Sequence, residues 1–347
     1  MSKEKPHCTG SQWDLMITTQ ILWVISLAML ITGHSPLMQF LAGIGFVITS
    51  ACLGRHFYGI WKIFRLRVKS SVLEQFILVS LDKGEYQFFF QPLMCFQTRE
   101  IVGGEMLLRM PDNQGGYISP ETVVRVACDH GLVKNITQQA LRDAQMVLNN
   151  NSNGIQVTVN IEPIQLWDID ELEDILSQYT DLSNNIILEL TETEESLSVS
   201  RIAEGVRRIR NMGFKIWLDD FGTGQNSLKL WSATQVDGLK LAKSFVESLH
   251  DQYGQEWLKN ISSLCNRLNV LCVMEGVENE AEVKVAENLG IEIAQGFYYY
   301  RPQAQQAFLT LLETHIKRNC MSCRKACPNA KREVGGNVIA MFDVVTE

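Results

Sequence analysis

The sequence predicts an α/β fold: a (β/α)8, TIM-like barrel preceded by an N-terminal hairpin of two transmembrane helices. Three apolar runs each stop on a carboxylate, at Glu189, Asp219 and Glu275, and such runs are typical of strands buried on both faces of a parallel sheet. From about residue 71, strand-like and helix-like segments alternate. Before residue 55, two long segments are apolar and uncharged.

The N-terminal region has the length and composition of two membrane spans. Leu15–Thr32 and Leu37–Gly54 each contain 18 uncharged residues, about 27 Å of helix, close to the hydrocarbon thickness of a bilayer. Only residues 33–36 separate them, so the spans should form a hairpin. Lys3 and Lys5 precede the pair and five basic residues follow it by Lys69, which places both ends in the cytoplasm. A cleaved signal peptide followed by a core helix is the alternative interpretation.

Charge divides the chain unevenly. Residues 1–69 carry seven Lys and Arg against two acids, a net charge of +5, which leaves −13 for the rest of a chain whose total is −8. A basic front and an acidic body argue against a main domain that wraps DNA or RNA. The nine cysteines show no disulfide-like spacing, which agrees with a reducing compartment.

From the apolar segments and the basic residues around them, we predict a cytoplasmic N-terminus at 1–14, the hairpin at 15–54 and a basic juxtamembrane linker at 55–70.

The barrel is predicted at 71–318. Eight strand candidates follow one another along it: Gln87–Cys95, Ile101–Arg109, Ile155–Ile161, Ile186–Leu190, Lys215–Asp219, Gly238–Leu241, Leu271–Glu275 and Ile291–Gly296. Helix candidates separate most of them, at Glu121–Leu148, Glu171–Gln178, Ser200–Arg210, Gln255–Leu268 and Asn279–Asn288. This alternation over about 245 residues is typical of a (β/α)8 barrel. An open doubly wound sheet is the alternative, but no glycine loop has a Rossmann or P-loop spacing.

Acids at several strand ends predict a metal site. The C-terminal ends of parallel barrel strands converge on one mouth, and the collected carboxylates repel one another unless cations hold them together. The residues themselves thus indicate a metal site.

The residues around these strand ends resemble the motifs of the EAL-domain cyclic di-GMP phosphodiesterases. Gly104–Arg109 is similar to the signature of that family, with Met106 in the place of its alanine. Further motifs appear in the order of the family: Phe90-Gln91-Pro92, Val159-Asn160-Ile161, Glu189–Glu192, Asp219–Gly224, Lys240, Glu275–Glu278 and Gln295-Gly296-Phe297. The resemblance spans about residues 71–317, with each motif expected at a strand end.

The resemblance implies two Mg²⁺ or Mn²⁺ ions. It assigns Glu105, Asn160, Glu189 and Asp219 to one ion, and Asp219, Asp220 and Glu275 to a second. All of these ligands offer oxygen, which hard divalent cations prefer.

The resemblance also implies the roles of the remaining site residues. Gln91 and Arg109 would bind substrate phosphate or guanine, and Gln295 would support the water of the second metal. Glu275 and Lys240 would be catalytic, with Lys240 at the attacking water or the phosphate. Glu192 would brace the loop Phe221–Ser227, which presents Asp220.

The implied function is hydrolysis of cyclic di-GMP to the linear dinucleotide pGpG at the inner membrane of a bacterium, by a multi-pass protein whose barrel lies in the cytoplasm. The implied partners are cyclic di-GMP, the lipid bilayer and a second EAL domain in a homodimer, with no DNA or RNA polymer. The alternative is a catalytically weak EAL module that acts as a cyclic di-GMP receptor or a protein-interaction scaffold.

Two positions depart from the usual motifs of the family. Ala242 stands where the family has a carboxylate, and because it lies two residues after Lys240 on one strand, it should face the barrel mouth and weaken the second metal site. Gln225-Asn226 replaces the common Tyr-Ser in the loop after the Asp pair.

The tail at 319–347 contains thiols at Cys320, Cys323 and Cys327, with His315 upstream. Their spacing fits zinc or an iron–sulfur cluster, a redox-labile thiol cluster, or an ordinary polar tail. The basic pairs nearby could instead contact anionic lipid.

Overall fold

The computed structural model describes residues 20–25, 27–28, 44, 47–48, 50, 71–150, 154–191, 198–223 and 227–326, with side chains as far as residue 315. The chain divides into two compact units, Met1–Ile77 and Leu78–Glu347. Residues 71–83 form the first helix after the predicted linker, α1.

The described residues of the two predicted membrane spans are helical. Trp23 of the first span donates a hydrogen bond from Nε1 to Ser50 Oγ of the second, at 2.8 Å. Among the described residues, no helix has both the length and the apolar composition that a membrane crossing needs. Most of Leu15–Thr32 and Leu37–Gly54 lies outside the described residues, as do the segments 1–14 and 55–70. The transmembrane hairpin is thus unsupported by the structure and stays a prediction.

The second unit contains the barrel. Its strands are β1 Gln87–Cys95, β2 Ile101–Pro111, β3 Tyr117–Ile118, β4 Gln156–Ile161, β5 Ile186–Leu190, β6 Lys215–Phe221, β7 Gly238–Leu241, β8 Leu271–Met274, β9 Ile293–Ala294 and β10 Gln303–Ala304. The sheet order is β10-β1-β9-β8-β7-β6-β5-β4-β2-β3, and an additional pairing of β1 with β2 closes the barrel. The predicted TIM-like α/β barrel is confirmed, with strands close to the predicted bounds.

The barrel differs from the prediction in one respect, because β1 is antiparallel. It pairs antiparallel with both β2 and β9, whereas the successive pairs from β2–β4 to β8–β9 are parallel. The reason is the short connection at residues 96–100, since a tight turn can join only antiparallel strands. Gln91 and Glu105 therefore lie in the middle of long strands and not at strand ends, as the sequence motifs had suggested.

Helices cover the outside of the barrel. They are α2 Pro120–Asp129, α3 Val133–Asn149, α4 Ile169–Leu176, α5 Val199–Asn211, α6 Ser227–Ala233, α7 Gln252–Arg267, α8 Glu280–Asn288 and α9 Gln305–Ala326, with 3-10 helices at Pro163–Leu166, Ser177–Leu182 and Lys243–His250. The single helix predicted at Glu121–Leu148 is wrong, because a turn at residues 130–132 separates α2 from α3. Gly131 has a φ of 68° there, a left-handed conformation that glycine adopts at low cost.

The tail begins inside a helix. The backbone of α9 continues past residue 318, the predicted end of the barrel domain, to Ala326. Cys320 and Cys323 therefore lie on the helical backbone, while Cys327 and the residues after it lie outside the described part of the chain. The three interpretations of the thiol spacing stay open.

Strand register sets the position of the site. Glu189 of β5 is level with Trp217 of β6, and Gly238 of β7 is level with the same tryptophan. Asp219 lies two residues after Trp217 on β6, and Lys240 lies two residues after Gly238 on β7. Each therefore points to the same face of the sheet as the earlier residue, one layer nearer the C-terminal end of the barrel. Gly238 is needed below them, since a Cβ at this position would lie 2.3 Å from Trp217 Cδ1. The buried indole thus forms a floor beneath the charged layer.

Candidate metal and active site

Lys240 is the centre of the candidate site. Its side chain is fully buried, and its Nζ lies 2.6 Å from Glu275 Oε1, 2.9 Å from Asp219 Oδ1, 3.1 Å from Glu189 Oε2 and 3.3 Å from Glu105 Oε2. An ammonium has only three N–H donors, so four carboxylates share fewer hydrogen bonds than they could accept. The cluster carries more negative than positive charge.

Burial and charge shift the pKa values of this cluster. Burial alone would lower the pKa of Lys240, but the surrounding carboxylates, Asp219 first, raise it well above its usual value. Burial raises the pKa of Glu189 despite the opposing effect of Lys240. Burial likewise raises the pKa of Glu275 to about 8. Without further cations the site therefore holds more protons than isolated carboxyl groups would.

Three of the predicted metal ligands lie within reach of one ion. Single carboxylate oxygens of Glu105, Glu189 and Asp219 lie within 4.8 Å of one another, and all three residues are buried. Glu189 Oε1 is buried without a hydrogen-bond partner among the described residues. A buried carboxylate oxygen without a partner is costly. The oxygen-only donor set and this unpartnered atom both fit a hard divalent cation.

Asn160 lies beside this cluster. It is level with Glu189 in the register of β4 and β5, and its Nδ2 donates to Met106 O at 3.3 Å. This bond leaves the amide oxygen as the atom that could bind a metal.

The Asp219–Asp220 pair depends on an irregularity in β6. Leu218 is level with Leu239 and Phe221 with Leu241, so β6 has one residue more than β7 over this stretch. Asp220 adopts a left-handed φ of 50°. A strand would otherwise point consecutive side chains to opposite faces, whereas both aspartates here line the same cavity. The bulge therefore brings two adjacent acids to one site.

Two glutamines connect β1 and β9 to the acids. Gln295 donates from Nε2 to Gln91 Oε1 at 3.0 Å and to Glu105 Oε2 at 2.5 Å. Gln91 donates from its own Nε2 to Tyr300 O at 3.2 Å. Both predicted substrate-binding glutamines thus lie beside the acidic cluster.

The acids and glutamines open into a cavity of about 310 Å³ at the C-terminal end of the barrel. It is lined by Gln91, Glu105, Leu107, Asp219, Asp220, Lys243, Glu275, Gly276, Glu278, Gln295, Gly296 and Phe297. The sequence interpretation assigned no role to Lys243, Glu278 or Phe297. Lys243 Nζ pairs with Glu278 Oε1 at 2.6 Å at the exposed rim. Their sequence positions could have indicated that they lie near the site, because Lys243 follows Lys240 by three residues and Glu278 follows Glu275 by three.

Arg109 is not brought to this cavity. It lies on β2 beyond Glu105 and Leu107, its Nη1 donates to Leu108 O at 2.8 Å, and its guanidinium lies 5.7 Å from the centre of the Phe89 ring. Burial lowers the pKa of Arg109. Its predicted contact with substrate needs a ligand that reaches along the β1–β2 hairpin, or a movement of the side chain.

Other predicted positions have different outcomes. Glu192 and Gln225-Asn226 lie outside the described residues, so their predicted roles stay predictions. Ala242 directly follows β7 and is buried, with 2% exposure. It is not among the residues that line the cavity. A carboxylate at this position would have to be accommodated inside the packed wall.

The chain is similar to proteins of one family. The model of the EAL domain matches residues 74–302. The Probable cyclic di-GMP phosphodiesterase PdeD of Escherichia coli K12 is 31% identical over 239 residues, which are 67% of this chain and 44% of that protein. Cyclic di-GMP phosphodiesterase RocR of Pseudomonas aeruginosa is 28% identical over 241 residues, 67% of this chain and 61% of that protein. The chain thus spans about half the length of such curated relatives.

Solved structures show the same barrel. The EAL enzyme Bd1971 in its cAMP- and cyclic-di-GMP-bound form matches with a TM-score of 0.64 and 26% identity, over 78% of this chain and 76% of that chain. The PaMucR phosphodiesterase in complex with c-di-GMP matches with a TM-score of 0.60 and 27% identity, over 67% of this chain and 99% of that chain. Because the EAL domain model covers well over half of its residues, this protein belongs to the EAL domain family.

Proposed function

We propose that this protein is a metal-dependent phosphodiesterase that hydrolyses cyclic di-GMP to the linear dinucleotide pGpG. The observation that carries the proposal is the group of four carboxylates around Lys240, three of them buried and that of Glu275 partly exposed. Within it, Glu189 Oε1 has no hydrogen-bond partner among the described residues. The names of the relatives PdeD and RocR, both called cyclic di-GMP phosphodiesterases, support the substrate.

The clustered oxygens of Glu105, Glu189 and Asp219 fit one ion of Mg²⁺ or Mn²⁺, and the resemblance to the EAL family supports a second. Glu105, Asn160, Glu189 and Asp219 would hold one ion, and Asp219, Asp220 and Glu275 the second. When bound, such a pair supplies Lewis acidity, which lowers the pKa of a water and neutralises charge on the phosphate.

The residues of the chain supply position and charge. Gln91 and Gln295 line the cavity and would orient the phosphodiester. Lys240, whose raised pKa keeps it protonated, would place positive charge beside the phosphate as water adds to phosphorus. The carboxylate of Glu275, which bound cations would keep ionised against its raised pKa, would accept the proton of that water. The bond from phosphorus to one ribose oxygen then breaks, which opens the ring, and that oxygen leaves as a hydroxyl after it takes up a proton from the solvent.

The direct test is a product assay on the full chain. Cyclic di-GMP is incubated with Mn²⁺, with Mg²⁺ or with EDTA, and the products are separated by ion-exchange chromatography. We expect pGpG only with a metal, and none from Glu189→Gln. Glu204→Gln is the matched control, because Glu204 pairs with Arg207 on an exposed helix face. Full turnover by Glu189→Gln, or turnover in EDTA, contradicts the proposal.

A receptor without appreciable turnover is the second candidate. The absence of a carboxylate at Ala242, which is buried next to β7, favours it. The same assay separates the two functions when it is joined to calorimetry. Binding of cyclic di-GMP without pGpG formation in Mn²⁺ or Mg²⁺ identifies a receptor.

The location at a bacterial inner membrane, with the barrel in the cytoplasm, is also part of the proposal. It is supported by the two apolar segments and by the hydrogen bond between Trp23 and Ser50, which joins them. A reporter that is active only outside the cytoplasm should be active in the turn at residues 33–36 and silent after Lys69. Activity of the fusion after Lys69 overturns the topology.

A homodimer through the EAL domain completes the proposal. Tyr253 and Trp257 of α7 expose large apolar side chains, as does Leu268 just after it, and exposed apolar patches often mark contact surfaces. Light scattering of the full chain should give twice the monomer mass, and Tyr253→Lys should halve it. A monomer in the unmodified chain rejects the homodimer.

A further inference from the structure

The helix α9 packs directly against the strands that carry two site residues. Phe308 of α9 is fully buried, and its ring stacks on that of Phe90, with centres 5.2 Å apart and planes 10° from parallel. A Cβ at Gly104 would lie 2.6 Å from Phe308 Cζ, so the ring lies against the bare backbone there. Phe90 precedes Gln91 and Gly104 precedes Glu105. The helix therefore touches the chain next to both residues.

Two helical turns beyond Phe308, α9 makes a second contact. Positions seven apart share a helix face, and His315 Nε2 lies 2.9 Å from the hydroxyl of Tyr300. The backbone of Tyr300 is anchored as well, because its N–H donates to Gly296 O at 3.1 Å. The side chain and the backbone of Tyr300 are thus both held, which fixes the position of its carbonyl oxygen.

That carbonyl determines how the two glutamines are oriented. A backbone carbonyl can only accept, so the amide group of Gln91 must turn its Nε2 toward Tyr300 O, at 3.2 Å. Its Oε1 then faces Gln295 and accepts from Gln295 Nε2 at 3.0 Å. Gln295 in turn has its amide nitrogen on Gln91 and Glu105. Its Oε1 is left buried without a hydrogen-bond partner among the described residues.

We propose that Tyr300 and His315 are positioning residues for the reaction. They hold the amide of Gln91, and through it that of Gln295, in the orientation that leaves Gln295 Oε1 as an acceptor beside the cavity. Both act through Gln91 and neither touches the substrate. His315 lies beyond residue 302, where the match to the EAL domain model ends. The assignment rests on the proposed function, since it takes Gln91 as a substrate-binding residue.

The test is a double-mutant cycle on the full chain, with kcat and KM measured for cyclic di-GMP in Mn²⁺. Tyr300→Phe and His315→Leu each remove one hydrogen bond, so KM should rise about 3- to 10-fold, with kcat changed less than about twofold. The His315→Gln side chain can still form a hydrogen bond with the Tyr300 hydroxyl, so its KM should stay close to that of the unmodified chain. Tyr298→Phe is the matched control, because Tyr298 is exposed in the same turn, and its KM should equal that of the unmodified chain.

The decisive comparison uses the Gln91→Ala background. If Tyr300 acts through Gln91, Tyr300→Phe has no further effect there. An equal rise in KM in both backgrounds, or a rise no larger than that of Tyr298→Phe, overturns the assignment while the proposed activity stands.

If the unmodified chain shows no turnover, the proposed activity fails, and the same cycle is read as the Kd for cyclic di-GMP. The same coupling in Kd supports the positioning role without catalysis. Additive effects, or no binding at all, overturn it. Unchanged thermal unfolding of each variant shows that the effect does not come from loss of the fold.

Discussion

The two ends of the barrel carry cavities that differ in size and in charge balance. The end where the strands begin has the larger one, about 600 Å³, against about 310 Å³ at the end where they finish. In the larger cavity, Asp237 pairs with Arg210 and Glu287 with Arg99. The third acid there, Glu292, accepts a hydrogen bond from the backbone N–H of Cys272, and burial raises its pKa to about 7. Each acid of this end thus has a partner.

The smaller cavity is different, because three acids that line it, Glu105, Asp219 and Glu275, share the ammonium of Lys240 with the buried Glu189. The fold keeps this excess of negative charge beside a buried tryptophan floor, where it costs stability. Charge imbalance, and not volume, thus distinguishes the end of the barrel that carries the proposed site. Changes at the charged end should therefore have effects that matched changes at the other end do not have.

The largest effect is expected at Lys240. Lys240→Met leaves three buried carboxylates and the partly exposed one of Glu275 without their cation, so the free energy of unfolding in EDTA should fall by about 3–5 kcal/mol. Lys215→Met, at the opposite end, should cost less than about 1 kcal/mol, because Lys215 is partly exposed. Urea denaturation measures both values. Equal losses at the two ends would show that the acids do not depend on Lys240.

Removal of a single acid should abolish turnover without loss of the fold. Glu105→Ala, Glu189→Ala or Asp219→Ala should reduce kcat for cyclic di-GMP by about 100- to 1000-fold, since several kcal/mol of charge stabilisation are lost. Melting in EDTA should change little, because each change also relieves repulsion within the cluster. Glu292→Gln, at the other end, should keep full activity. Unchanged hydrolysis in all three alanine variants rejects the site.

The free energy of unfolding should depend on pH through acids at both ends of the barrel. Bound metal should remove only the contribution from the end that carries Lys240. The pKa of Glu275 rises from 4.5 to about 8 in the folded state, so between these values the folded protein holds a proton that the unfolded chain releases. Stability in EDTA should therefore fall as pH rises from about 5 to 8, by about 1–3 kcal/mol. Glu275→Gln should remove the part of this slope that comes from Glu275.

Mn²⁺ should flatten the same slope, because a metal binds the ionised carboxylates. The part of the slope that Glu292→Gln removes should be insensitive to Mn²⁺. Chemical denaturation at a series of pH values gives both numbers. A slope from Glu275 that persists at saturating Mn²⁺ would separate this residue from the metal site.

The smallest effect is expected at Ala242. Ala242→Asp adds negative charge two residues after Lys240, so metal affinity and initial rate should rise about 2- to 5-fold, with little change in the Kd for cyclic di-GMP. Because the position is buried, the new carboxylate should lower stability when metal is absent. Initial rates across a Mn²⁺ titration test this. Equal rates and equal half-saturation mean that Ala242 is neutral.

The sequence predicted the barrel well, because its strands are apolar and clearly delimited. Motif residues at strands next to one another in the sheet, such as Glu189 and Asp219, were predicted to converge, and the structure places both at Lys240. Three-dimensional features were harder to predict. The antiparallel direction of β1 depends on the short connection at residues 96–100, which looks like any loop in the sequence.

The arrangement of charges within the site could not be predicted from the sequence either. The position of Lys240 among four acids depends on strand register, and a register shift between Leu218 and Phe221 sets the Asp pair. The distance of Arg109 from the cavity follows from the length of β2, which extends to Pro111. Contacts made by α9, such as that of His315 with Tyr300, join residues that no local pattern connects.

The most direct measurement is the stabilisation of the full chain by Mn²⁺ in three forms: unmodified, Asp219→Asn and Glu292→Gln. A metal at about 100 times its Kd stabilises a folded protein by about 2.7 kcal/mol. We expect a gain of this order for the unmodified chain and for Glu292→Gln, and none for Asp219→Asn. A full gain in Asp219→Asn, or its loss in Glu292→Gln, would contradict the assignment of the metal to the acids around Lys240.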